Sequence, residues 1–181
     1  MPVDALTIDP VLARVCGAAM SVIFLIAAWH KLRDASAFQD AVANYRILPE
    51  SLVPAFARLL PWLEVAGAAG LLFPASRTVA AVLLALLLVA CTAAVAVNLA
   101  RGRRDIDCGC GDGGQSLSEW LVLRNLLLLG IVWAGSREGS LRPLAWIDYL
   151  SVAFGTLALL GLYVSANQLM ANHPKLMKLR N

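Results

Sequence analysis

The sequence predicts an all-α fold: a polytopic transmembrane helical bundle with five spans, or four if the weakest run does not cross. Three observations support this prediction. Hydrophobic residues make up 60% of the 181 residues, whereas soluble domains are about 45–50% apolar. The mean hydropathy is +0.72. The apolar residues also fall into separate runs, each close to the ~20 residues that a helix needs to cross a bilayer.

Five runs satisfy this length requirement, and they lie at about residues 11–29, 55–73, 78–99, 119–135 and 144–169. The run at 55–73 is the least apolar because it contains Arg58, Pro61 and Glu64. The run at 119–135 is short and contains Arg124, so four spans remain the fallback. We expect residues 1–181 to form a single integral membrane domain.

The N-terminal residues predict that the first helix is retained. Residues 1–10 contain two aspartates and no basic residue, whereas a cleavable signal peptide begins with a positively charged segment. The chain also contains no nucleic-acid-binding signature, and no cofactor site is evident. We therefore expect the first run to remain as a membrane anchor.

The charges of the loops predict an orientation. With five crossings, the loop at about 30–54, the loop at about 100–118 and the C-terminal tail share one face of the membrane. Nine basic residues lie on that face, and three lie on the other. The nine are Lys31, Arg33, Arg46, Arg101, Arg103, Arg104, Lys175, Lys178 and Arg180, against Arg77, Arg137 and Arg142. Because basic loops stay in the cytoplasm, this face is predicted to be cytoplasmic.

The connector at residues 107–114, DCGCGDGG, contains Cys108 and Cys110. A disulfide between cysteines two positions apart closes a small ring that is strained for most backbone shapes. Strained, exposed disulfides are the labile and catalytic ones, and Gly109 and Gly111 relax the backbone limits of such a ring. We interpret Cys108 and Cys110 as an exposed redox pair. Ser116 and Glu119 fit a capping box that would open the next helix.

Two other interpretations of this connector remain open. The two thiols could form a zinc-type site together with His30 and His173, which lie on the same predicted face. They could also occupy an inert turn, although exposed vicinal thiols are liable to oxidation. Cys16 and Cys91 lie within apolar runs, and we expect them to be packing residues because buried cysteine behaves as a small hydrophobe.

Charged residues inside the predicted spans indicate a polar network within the bilayer. An isolated charge at the centre of a span costs at least ~2.5–3.5 kcal/mol on insertion scales, so Glu64 must be neutralised or paired. Arg124 and Lys31 are the two candidate partners, since both lie toward the face that carries the cysteines. Asn98 and Asn125 could add hydrogen bonds between helices.

Four stretches together resemble a known family: AAWHKLRDASAFQDAVANYRILP (27–49), LPWLEVAGAAGLLF (60–73), DCGCG (107–111) and LVLRNLLLL (121–129). In this order and spacing they resemble the methylamine utilisation protein MauE family, small multi-pass membrane proteins related to the DoxX-like group. The resemblance covers about residues 11–135. It implies a membrane protein of the bacterial cytoplasmic membrane that acts in amine metabolism.

The resemblance also implies a role. Family members are associated with processing, export or disulfide maturation of the methylamine dehydrogenase β-subunit, together with a thioredoxin-like partner, MauD. Cys108 and Cys110 would then exchange electrons with the dithiol of that partner. This role implies that the cysteines face the periplasm, whereas the loop charges predict the cytoplasm. Two alternatives are a non-catalytic scaffold for the partner or the β-subunit, and a small transporter with Glu64 as its coupling residue.

Overall fold

Six α-helices make up most of the part of the chain that the structure describes. The computed structural model describes residues 8–109, 117–137 and 144–180, with side chains described through residue 172. The helices are α1 (Pro10–Arg33), α2 (Ala35–Asn44), α3 (Val53–Leu71), α4 (Arg77–Ala100), α5 (Glu119–Ser136) and α6 (Trp146–Arg180). A short 3₁₀ turn at Glu50–Leu52 leads into α3. The described ranges contain no β-strand.

The prediction of an all-α bundle with five spans is confirmed. Within the described residues, α1, α3, α4, α5 and α6 are long and apolar enough to cross a membrane. Many of their large apolar side chains are exposed on the outside of the bundle, as lipid-facing surfaces require. Hydropathy predicted these helices well because a spanning helix must satisfy its backbone internally and present apolar side chains along its whole length.

The centre of the bundle is built around α1. This helix packs against α3, α5 and α6, and α4 closes the other side by packing against α3 and α5. Apolar side chains from α1, α3, α4 and α5 form the main core, including Met20, Phe24, Leu71, Leu84 and Val132. Most of α6 is exposed, and its main neighbour is α1.

Two glycines allow the backbones of α1 and α5 to touch. A Cβ atom on Gly135 would lie 2.8 Å from the nitrogen and 3.0 Å from the Cα of Gly17. Small residues at helix contacts are typical of membrane bundles, where helices associate through close packing rather than the hydrophobic effect. The opposing atoms belong to backbone and cannot rotate away, so this contact requires glycine at position 135.

The region between the first two spans was expected to be a loop, but it contains helix α2. The Asp34 side chain caps this helix by accepting hydrogen bonds from the Ala37 amide at 3.0 Å and from the Ser36 hydroxyl at 3.1 Å. The Ala37 amide, and then the Ser36 hydroxyl, hold the pKa of the exposed Asp34 carboxyl below its ordinary value. Phe38 and Ala41 are the buried side chains of α2, which packs against α3.

The start of α5 differs from the predicted capping box. The residue at the N-cap is Ser118, and its side chain makes no capping hydrogen bond. Glu119, the first helical residue, forms a two-pronged ion pair with the Arg104 guanidinium. Ser116 lies outside the described residues. The Glu119 carboxylate thus binds the Arg104 guanidinium of the preceding loop through two charge-assisted hydrogen bonds, an arrangement that favours Arg.

Replacing Gly135 by alanine should destabilise the bundle. The added methyl group would force α5 away from α1, and overpacking of this kind costs about 1–3 kcal/mol. The matched control is Gly130→Ala on the same helix, where a Cβ atom meets nothing within 4 Å. That variant should be neutral or gain up to ~1 kcal/mol from helix propensity. SDS titration of the purified proteins in mixed micelles measures both, and equal stability of the two variants would refute the backbone contact.

Candidate functional site

The loops that follow α2 and α4 meet at one end of the bundle. The Tyr45 hydroxyl donates a hydrogen bond to the Cys108 carbonyl oxygen at 3.1 Å. The Asn98 amide donates to the Tyr45 carbonyl oxygen at 3.2 Å, and the Arg101 guanidinium donates to the Arg46 carbonyl oxygen at 3.4 Å. The loops at 34–52 and 101–109 therefore lie on the same face of the membrane and form one joined structure.

Cys108 is buried in this structure. It is 7% exposed and packs in an apolar cluster with Val95, Leu117 and Leu121. The sequence predicted an exposed thiol because the connector is rich in glycine and charge. The difference arises because the Leu117 amide donates hydrogen bonds to backbone carbonyls in the first half of the loop, which draws an apolar side chain over the cysteine. Cys110 lies outside the described residues.

Gly109 fixes the direction of the chain after Cys108. Its φ is +66°, a left-handed conformation that favours glycine. A Cβ atom at this position would also lie 3.3 Å from the Ala41 Cβ, so the loop approaches α2 closely. The Gly109 amide donates to the Asp107 carboxylate at 3.1 Å. These contacts hold the backbone beside Cys108 against α2.

An apolar cavity of about 260 Å³ lies behind this loop, between α2, α3 and α4. Its lining includes Cys108, Cys91 and the buried side chain of Lys31. The remaining lining is almost entirely aliphatic and aromatic, including Phe38 and Tyr45 from the α2 region. Cys91 was expected to be a packing residue, and the structure places it in the lining of the same cavity as Cys108.

Lys31 and Glu64 form an ion pair inside the bundle. The Lys31 ammonium nitrogen lies 2.7 Å from one carboxylate oxygen of Glu64 and 2.8 Å from the other. The two residues are 6% and 4% exposed, and the ammonium group lies 5.6 Å from the centroid of the Phe38 ring. Of the two partners considered for Glu64, the structure therefore places Lys31 against its carboxylate, at the edge of the cavity.

Arg124 belongs to a second polar group that links α4, α5 and α6. Its guanidinium donates hydrogen bonds to the side-chain oxygens of Asn125 and Asn167, at 3.2 and 3.3 Å. The Asn125 amide in turn donates to the Thr92 hydroxyl at 3.1 Å. Asn167 and Thr92 could not be identified from the sequence, because polar residues scattered along apolar helices do not show which of them face one another.

The other predicted site features fall in different places. Cys16 is buried in α1, as expected for a packing residue. Within the described ranges, no group of three or more histidine, cysteine or acidic side chains could hold a metal ion. Two ligands of the zinc-type alternative, Cys110 and the side chain of His173, lie outside what is described. The cavity and Tyr45 were not predicted, since α2 itself was not recognised in the sequence.

Removing one member of the buried ion pair should be far more damaging than removing both. Lys31→Met leaves the Glu64 carboxylate without its ammonium partner, a change that costs about 3–5 kcal/mol in buried pairs. The double variant Lys31→Met/Glu64→Leu should recover most of this loss, because it removes both charges from the bundle. SDS titration measures the three stabilities, and losses that simply add would show that the two side chains do not interact.

Comparisons with known proteins agree with this architecture. The family model described as "Methylamine utilisation protein MauE" matches residues 9–137. The chain is 41% identical over 131 residues to the methylamine utilization protein MauE of Methylophilus methylotrophus, covering 71% of this chain and 69% of that protein. It is 42% identical over 135 residues to the protein of the same name from Methylorubrum extorquens, covering 71% and 73%.

A longer match extends further along the chain. The methylamine utilization protein MauE of Paracoccus versutus is 34% identical over 161 residues, covering 86% of this chain and 87% of that protein. No solved structure is detectably similar. The family match spans α1 to α5, and therefore includes the ion pair, the cavity and the loop that carries Cys108. The chain belongs to the methylamine utilisation protein MauE family and is a multi-pass membrane protein of the methylamine utilisation system.

Proposed function

We propose that this protein assists disulfide maturation of the methylamine dehydrogenase β-subunit at the bacterial cytoplasmic membrane, with Cys108 and Cys110 as a dithiol–disulfide couple. The observation that carries the proposal is that the Tyr45 hydroxyl holds the backbone of Cys108 in the loop that follows α4, at one end of the bundle. Membership of the family supports the pathway. The partner we propose is a thioredoxin-like protein, MauD.

The proposed exchange is a two-electron transfer between cysteine pairs. A thiolate of the partner attacks one sulfur of the Cys108–Cys110 disulfide and forms a mixed disulfide. The second thiolate of the partner then attacks the partner's sulfur atom in the mixed disulfide, and this releases Cys108 and Cys110 in the reduced form. The partner leaves as a disulfide, both electrons remain on Cys108 and Cys110 as thiols, and the partner can oxidise the β-subunit. The Cys108–Cys110 disulfide would close a small, strained ring, and strained disulfides are the more oxidising ones.

Loss of both cysteines should abolish maturation. In cells that express Cys108→Ser/Cys110→Ser, we expect the β-subunit to fall to the level found in a strain that lacks this protein. The matched control is Cys16→Ser. Cys16 is buried in the half of α1 that does not contain Lys31, so this substitution should leave the β-subunit level unchanged. Immunoblots of the membrane fraction confirm that each variant is present. Normal β-subunit levels in the double variant would disprove the redox function.

A second candidate is a non-catalytic scaffold that holds the partner or the β-subunit at the membrane. The observation in its favour is the burial of Cys108, which packs against Leu117 and Leu121 and presents little surface to another protein. A scaffold would tolerate loss of the cysteines. It would fail when α2 is disrupted or when the Lys31–Glu64 pair is broken, because these features shape the face on which a partner docks.

The side of the membrane on which α2 lies separates the two candidates. In a variant without its native cysteines, Ala43→Cys places an exposed thiol on α2, and Ala75→Cys places one in the turn before α4. Both changes leave the loop charges intact. If the pair acts in the periplasm, a membrane-impermeant maleimide should label Ala43→Cys in intact cells. It should label Ala75→Cys only after lysis. The reverse pattern, which the loop charges predict, would exclude periplasmic exchange and favour the scaffold.

A further inference from the structure

We infer that the cavity behind the Cys108 loop binds the ring of a membrane quinone. This inference rests on the proposed function, because a pair that oxidises its partner must pass two electrons onward before it can act again. The lining of the cavity includes both Cys108 and Lys31. The opening of the cavity, its charges, its size and its aromatic walls together support a neutral, lipophilic, ring-shaped occupant.

The cavity has an opening at the surface of the bundle. Among its lining residues, Ile47, Phe56 and Ala90 are exposed. Ala90 lies in the middle of α4, a helix that is long and apolar enough to cross the membrane. The α4 residues on the cavity wall, Leu87, Ala90, Cys91, Ala94 and Val95, follow the spacing of one helix face. An occupant can therefore enter sideways from the bilayer.

The charges at the inner wall favour a neutral occupant with an oxygen acceptor. The Lys31 ammonium group is balanced by the Glu64 carboxylate, which contacts it through both oxygens. An anionic ligand such as a fatty acid would add an uncompensated negative charge in an apolar site, at a high cost. An ammonium group has three N–H donors, and the contacts with Glu64 use two of them. A quinone carbonyl is a neutral acceptor that matches this arrangement.

The size and the walls of the cavity suit a substituted ring. A dry apolar cavity of about 150 Å³ is known to hold benzene, and this cavity measures about 260 Å³. Phe38, Tyr45 and Phe56 contribute aromatic surface to its lining. Flat rings pack favourably against aromatic side chains in offset or edge-to-face arrangements. The isoprenoid tail would leave through the opening toward the lipid.

The redox step balances with a quinone as the oxidant. The Cys108 and Cys110 thiols lose two protons and two electrons and form one disulfide bond. The quinone gains the two electrons and two protons and becomes a hydroquinone, which is released to the bilayer. Cys108 lines the cavity, and we assign its sulfur the contact with the ring. The burial that hinders a protein partner here favours a small lipophilic oxidant.

Binding is tested separately from electron transfer. The full chain in nanodiscs, as the Cys108→Ser/Cys110→Ser variant, is irradiated with an azido derivative of ubiquinone, with and without excess decylubiquinone. We expect saturable labelling of peptides from α2 and α4 that decylubiquinone suppresses. Labelling spread over the outer faces of α4 and α6, or labelling that is displaced by oleate but not by decylubiquinone, would overturn the quinone site.

A matched pair of variants on α4 tests the location. Ala94→Phe fills the cavity, whereas Ala93→Phe adds the same side chain on the exposed side of the helix and outside the cavity lining. We expect that about tenfold more decylubiquinone is needed to suppress the labelling of Ala94→Phe, in line with the cost of overpacking. Ala93→Phe should behave like the parent. Equal suppression of labelling in the parent and in both variants would overturn the site. If Ala94→Phe does not fold, the peptides labelled in the parent protein test the location instead.

Electron transfer is then measured with the cysteines present. The reduced chain is mixed with decylubiquinone, and the loss of free thiols is compared with the hydroquinone formed. One hydroquinone for each pair of thiols supports the inference, and Ala94→Phe should slow the reaction about tenfold, like binding. Saturable binding without thiol oxidation would disprove the redox function but would still support the quinone site. A redox-active pair that needs no quinone and shows no saturable labelling would overturn the site alone.

Discussion

A carboxylate inside an apolar bundle imposes the main constraint on this structure. Glu64 can remain charged in α3 only if a cation meets it there, and Lys31 does so from the end of α1. The pair sets the register between α1 and α3. Helix α1 ends immediately before Asp34, which caps α2. The charge of Glu64 is therefore neutralised at the edge of the cavity, which is lined by Lys31, by α2 and by the Cys108 loop.

Helix α2 connects the membrane interior with the loop that carries the cysteine. Its buried face supplies Phe38 and Ala41 to the cavity, and Tyr45 at its end holds the Cys108 carbonyl. Gly109 completes the contact from the other side, where a side chain would press on Ala41. These contacts place the backbone of Cys108 beside the apolar cavity. In the function that we propose, this position would determine how a reaction partner approaches the sulfur atom.

The sequence predicted the long helices, but not the site. Hydropathy acts over many residues, so five spans could be predicted without knowing how they pack. Helix α2 was missed because ten residues with a short apolar face resemble a polar loop. The partner of Glu64 remained undecided between Lys31 and Arg124 because both lie toward one end of the bundle, and only helix packing separates them. Burial of Cys108 depended on Leu117, which the loop composition did not reveal.

The central position of α1 has a consequence for biogenesis. Helices α3 and α5 are the least apolar spans, and they carry Glu64 and Arg124. As each emerges from the ribosome, α1 is already present in the membrane, with Lys31 ready to neutralise Glu64 and Gly17 ready to receive α5. We therefore expect α1 to retain the two less apolar spans as they insert, because it precedes both of them in the chain.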